Sequence, residues 1–233
     1  MHKIAVGGLL TTTGLLTLTA APAAADVRQA PDCAEVECVA LTFDDGPGEH
    51  TDELLDMLDE HDAKATFYVL GSKIDAYTDV VRRMVDQDHE VGNHTWDHAD
   101  LATLSADQIK DDLKRTDQAI ERATGQEPAT MRPPYGSLDD TARGAIDKPM
   151  LLWDVDTLDW QHRDPAKTVD ITTRETGQGS VVLFHDIHKT SVEAIPEVLD
   201  RLSDEGYEFV TVSEMMGSDM VGGTAYSDAR SMD

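Results

Sequence analysis

The sequence predicts an α/β fold: one domain with a parallel sheet and helices outside it, closed or nearly closed into a barrel. Seven short β-type runs alternate with amphipathic helical patterns, the arrangement of β–α units around parallel strands. The length of 233 residues suits one sizeable core rather than two ordinary domains. The polar residues that interrupt the pattern follow the predicted strands, at the rim where such barrels carry their chemistry.

The elements follow in chain order. Met1-His2-Lys3 is a short positive start, residues 4–21 are apolar but diluted by Gly and Thr, and Ala23-Ala24-Ala25 precedes Asp26. This is the pattern of a secretory signal peptide over residues 1–25. A membrane anchor is the competing reading, disfavoured by the threonines and Pro22. Removal of the leader leaves 208 of the 233 residues, and no later run reaches the roughly 20 apolar residues of a membrane span. The product is therefore expected to be exported and soluble, with no membrane association after cleavage. Cys33 and Cys38 are the only cysteines. In an oxidising compartment they are expected to pair, stapling the lead-in 26–38 to the first strand for about 2 kcal/mol.

β-Type runs are predicted at 39–43, 66–70, 90–92, 129–131, 150–153, 181–184 and 208–212. A helix over 52–60 aligns Leu54, Leu55 and Leu58 on one face, with Asp52 and Glu53 at its favourable end. Another starts at Ser105, with Gln108 completing a capping box, and ends near Gly125. A third spans 191–205 and stops at Gly206, with Pro196 ending its first turn or kinking it. The domain is expected over 39–216, and residues 217–233, rich in Ser, Gly and Asp, read as a loose tail. The balance of 19 Lys+Arg against 46 Asp+Glu gives a net charge of −27. Such a surface repels nucleic acid and anionic lipid.

Five polar clusters end predicted strands: Asp44 to Pro47, His94 to His98, Arg132 to Gly136, Asp154 to Trp160, and His185-Asp186. His94 and His98, at i and i+4 on a helical turn, are spaced to share one metal ion, with two solvated histidines as the rival reading of the pair taken alone. Asp45 adds a carboxylate, and two nitrogens with one oxygen leave a fourth position for water, as in a catalytic zinc site. Asp44 is the candidate base, held ionised by Arg132. His185, on the rim after an apolar run, is the candidate acid, with Asp159 to orient its ring and raise its pKa. A buried, satisfied histidine is the rival reading. Trp160 and Leu183 are candidates for an apolar wall, with core packing as the rival for each. His50, His61, His89, His162 and His188 read as surface residues.

Thr42-Phe43-Asp44-Asp45-Gly46-Pro47, His94-Thr95-Trp96-Asp97-His98, Arg132-Pro133-Pro134-Tyr135-Gly136, Asp156-Thr157-Leu158-Asp159-Trp160 and Leu183-Phe184-His185 resemble, in order, the five motifs of the polysaccharide deacetylase family (NodB homology, carbohydrate esterase 4). The resemblance implies a distorted, incomplete (β/α)7-type barrel. It implies a divalent metal, most often zinc, with cobalt or nickel as substitutes, held by Asp45, His94 and His98. It also implies Asp44 as base, His185 as acid, Arg132 and Asp159 tuning them, and the Tyr135 backbone N–H as an oxyanion donor. The implied partner is an acetylated polysaccharide such as peptidoglycan or chitin; the sequence does not give the oligomeric state, and a single chain is the expected working unit. Acetylxylan esterase is the alternative within hydrolases. An inactive carbohydrate- or metal-binding protein is the alternative outside them, and it needs neither Asp44 nor His185.

Overall fold

In the computed structural model the described residues are 1–4 and 30–232, so the expected leader, save its first four residues, lies outside them. Among the described residues no helix is long and apolar enough to cross a membrane. The strands are β1 (Cys38–Asp44), β2 (Ala65–Val69), β3 (Glu90–Asn93), β4 (Met150–Leu151), β5 (Val155–Asp156), β6 (Ser180–His185), β7 (Glu208–Phe209) and β8 (Ala225–Tyr226). The main sheet runs β3-β2-β1-β6-β5, with β7 pairing the first two residues of β1. Its ladders are parallel.

β1 is central and buried along its whole length. Its run Val-Ala-Leu-Thr-Phe is continuous rather than alternating because both faces of a parallel sheet are covered. Phe43 stacks between Phe67 and Phe184, at 5.3 and 5.4 Å between ring centroids. The register pairs Asp44 with Tyr68 on one side and with His185 on the other. Base and acid candidates, 141 positions apart in sequence, thus leave the sheet side by side.

Beyond β3 the sheet continues through single bridges, Asn93 to Met131 and Met131 to Met150, to the pair β4-β8. The strand expected over 129–131 is reduced to the bridge at Met131, because Pro128 and Pro133 flank it and cannot donate to a ladder. The run 150–153 supplies only β4, and Val155–Asp156 joins β6 instead. The run 208–212 stops at Phe209, since Thr211 caps the helix Val212–Met216 through a capping box with Glu214. Among the described residues no ladder joins β5 to β8, so the barrel is incomplete.

The helices at Thr51–Glu60 and Ala106–Thr124 match the apolar stripes, the latter with the Ser105–Gln108 capping box. The helix expected over 191–205 is two, Lys189–Val192 and Ile195–Asp204, with Pro196 in the first turn of the second, where its missing N–H is harmless. Cys33 and Cys38 form the expected disulfide.

The loose tail expected over 217–233 is a correction. Through residue 232 it is folded back: β8 pairs β4, and buried Tyr226 packs with the cluster of Leu151, Val181 and Val210. Arg230 pairs with Asp154 at 2.6 Å. One aromatic among polar residues supplies the burial that composition conceals, and β8 covers an otherwise bare strand edge.

Candidate active site

The rim clusters meet in one cleft of about 540 Å³, lined among others by Asp44, Asp45, His94, His98, Tyr135, Trp160, Leu183 and His185. Asp44 ends β1 and is almost fully buried, and Arg132 is fully buried behind it. The Arg132 guanidinium donates to Asp44 Oδ1 at 2.8 Å, to Thr42 Oγ1 at 2.7 Å, and to the carbonyls of Leu151 and Leu152 at 3.0 and 2.8 Å. It also lies over the Tyr68 ring, 4.3 Å from its centroid. A buried cation with this many partners is fixed in place, and it pairs the buried Asp44 carboxylate with a charge-assisted hydrogen bond.

His94 and His98 converge as expected, but not on a helical turn. Residues 95–97 form a turn, and Thr95 and His98 have φ of 69° and 65°. His94 Nδ1 donates to the Arg132 carbonyl at 2.7 Å, so in the neutral ring Nε2 carries the lone pair. That Nε2 stands 3.5 Å from Asp45 Oδ1, and His98 Nε2 stands 3.3 Å from the same oxygen. Asp45 Oδ1 is itself buried and has no hydrogen-bond partner. Ligands about 2.0–2.2 Å from a tetrahedral zinc lie roughly 3.3–3.6 Å from one another. Both separations fall in that range, so the donors fit a shared dication.

Their electrostatics agree. Burial opposes charge on Asp45, but the neighbouring imidazole of His94, then those of His98 and His185, outweigh it and hold the carboxyl well below the usual carboxylate range. Burial pulls the His98 imidazole down despite Asp45 beside it, favouring the neutral form that ligates metals.

Across the cleft, Asp159 is fully buried, and its carboxylate takes both the ring and the backbone of His185. Nδ1 lies 2.8 Å from Oδ1, and the backbone N–H donates to Oδ2 at 2.8 Å. Burial alone would lower His185. The hydrogen bond and charge of Asp159, then the charges of Asp44 and Asp45, raise it to about 9. His185 is thus neither a core histidine nor a free one. Tyr135, at φ 60°, is 68% exposed, and its ring meets His98 edge-on at 4.5 Å. Trp160 is 46% exposed, while Leu183 is buried beneath the cleft.

Two histidines read as surface residues are corrected. His89 is buried against Phe67 at the other end of the sheet, where its Nδ1 accepts the Ala65 N–H. His188 lines the cleft, 6.2 Å from the His185 ring. Trp153 and Arg163 also line it and were not singled out from the sequence, and Asp156, which opens the fourth motif, lines it without having been given a role. The signal that existed for them was adjacency to the motifs.

Residues 32–149 match the family model described as polysaccharide deacetylase. The chain belongs to that family. It is 38% identical over 208 residues to the peptidoglycan-N-acetylglucosamine deacetylase PgdA of Listeria monocytogenes, an alignment covering 89% of this chain and 45% of that protein. The chain therefore spans less than half the length of that relative. It is 38% identical over 195 residues to a chitin deacetylase of a Pestalotiopsis species, covering 79% of this chain and 65% of that one. Among solved structures, a T48 deacetylase with substrate superposes with a TM-score of 0.83 at 49% identity, covering 85% of this chain and all of that one. The family's parallel-sheet α/β fold is therefore shared.

Proposed function

We propose that the chain is a metal-dependent hydrolase that removes acetyl groups from N-acetylglucosamine-containing polysaccharide, peptidoglycan or chitin oligomers. The observation that carries this is the meeting of Asp45, His94 and His98 between an Arg-held aspartate and an Asp-held histidine. Relatives named as peptidoglycan and chitin deacetylases support the substrate class. The same reading takes residues 1–25 as a leader removed on export, 39–216 as the catalytic core with the folded-back residues through 232 packed on it, zinc as the resident metal and one chain as the working unit.

Asp45, His94 and His98 would hold a dication, which when bound would supply Lewis acidity toward the acetyl carbonyl and the attacking water. Asp44 accepts the proton of the attacking water, and Arg132 stabilises the carboxylate for that task. The Tyr135 backbone N–H donates to the carbonyl oxygen as that oxygen gains charge. His185, anchored through Nδ1 to Asp159, delivers a proton from Nε2 to the departing sugar nitrogen. An amine leaves poorly without that proton. Trp160, Leu183 and the Tyr135 ring form the apolar wall against the sugar.

The test is acetate release from acetylated chitooligosaccharides, peptidoglycan fragments and acetylxylan, run in parallel. Release from the N-acetylated substrates, abolished by a chelator and restored by zinc, is expected. Release that survives complete chelation, or that occurs on acetylxylan alone, would overturn the proposal.

A further inference from the structure

Resting on the reading of Asp45 as a metal ligand, we infer that Asp186 is a positioning residue for that ligand. Its buried carboxyl, with Thr51 and Lys73, clamps the turn after β1 so that Asp45 Oδ1 stays aimed between His94 and His98.

Asp186 follows His185 at the end of β6 and is wholly buried. Thr51 Oγ1 donates to its Oδ2 at 2.5 Å, and the same hydroxyl accepts the Gly48 N–H at 2.8 Å. The carboxyl presses on Gly46: a Cβ there would stand 2.4 Å from Oδ2 and 2.5 Å from Oδ1. From the other side, Lys73 Nζ donates to the Asp45 carbonyl at 2.8 Å, and the Leu70 N–H donates to the Gly46 carbonyl at 2.9 Å. The Asp45–Gly46 peptide is therefore gripped on both sides.

That grip has something to hold. Asp45 has φ 71°, a conformation that persists in a residue with a side chain only where the surroundings over-determine it. Asp186 Oδ1 has no hydrogen-bond partner, and burying such an oxygen is costly for the fold. An apolar residue of the same shape would serve packing better. A carboxyl there makes sense if it fixes the turn that carries Asp45, as groups behind metal ligands commonly do.

The experiment is a zinc titration of chelator-stripped protein against a chromogenic competitor, for wild type, Asp186→Ala, Asp186→Asn, Thr51→Val and Lys73→Met. The melting temperature of each stripped protein is measured alongside. Asp186→Ala is expected to weaken zinc about 10- to 100-fold, with Thr51→Val and Lys73→Met weakening it in the same direction. Asp186→Asn keeps the shape and an acceptor for Thr51, and is expected to recover most of that loss. A lower melting temperature for Asp186→Ala with unchanged zinc affinity would overturn the positioning role alone. If Asp186→Ala does not fold, wild-type affinity in both Thr51→Val and Lys73→Met would overturn it. Failure of the wild type to bind zinc would instead overturn the metal-centre reading, and this one with it.

Discussion

Replacing Asp159 by Asn removes one charge while keeping the shape of the group that grips His185. The wild-type ring titrates at about 9 against an ordinary 6.5, roughly 3 kcal/mol of preference for the charged form. Burial pulls the ring downward, and Asp159 is the largest opposing influence. Without its charge, the midpoint should fall to about 7 or lower. At pH 8 the ring would go from about nine-tenths protonated to about one-tenth. The assay is an NMR titration of the His185 ring in metal-free protein, paired with the pH dependence of kcat. The basic limb of kcat should move down with the midpoint. Stability has a matching sign. A raised imidazole pKa contributes stability that is complete below about 6.5 and is lost as pH rises through about 9. Asp159 itself is held below its ordinary 3.8, its own burial outweighed chiefly by the hydrogen bond to His185. The stability gap between wild type and variant should therefore be widest between about pH 4 and 6.5 and should close above about 9. A midpoint that stays near 9 in Asp159→Asn would refute the reasoning.

Three other changes test separate parts. Arg132→Met leaves Asp44 buried beside an apolar chain and should cost about 3–5 kcal/mol in urea unfolding, with activity lost. Tyr226→Ala empties the packing under β8 and should cost about 3 kcal/mol, whereas a truly loose tail would leave the urea midpoint unchanged. His185→Ala should reduce acetate release from N-acetylated sugars more than from acetylated xylan, because an alkoxide leaves without a proton more readily than an amine. Equal losses on the two substrates would remove His185 from the acid role.

The long buried strands were legible in the sequence because β1 and β6 are continuous apolar runs ending in acids or histidine. Two of the four two-residue strands, β5 and β8, were not. β5 and β8 carry too few side chains to show a period, and their place is set by neighbours distant in sequence. The site residues were readable as residue types at strand ends, yet the way they converge was not. Of the non-glycine residues with positive φ, Asp45, Thr95, His98, Tyr135, Leu158 and Arg163 fall in or beside the cleft motifs. Nothing in a threonine or a histidine announces a left-handed backbone, so the 94–98 segment read as a helical turn. His188 was missed for a related reason: three residues past His185, it belongs to no apolar stripe, and only the fold turns it into the cleft.

Arg132 meets the two halves of the site with different parts of itself. Its side chain holds Asp44, and its carbonyl sets which nitrogen His94 turns inward. The base and the ion site therefore share a single anchor through separable parts: a side-chain change at position 132 removes the Asp44 contact while the backbone carbonyl that faces His94 remains. Efforts to shift the working pH of this scaffold have a freer handle on the opposite wall, where the Asp159–His185 couple has no hydrogen bond to Arg132.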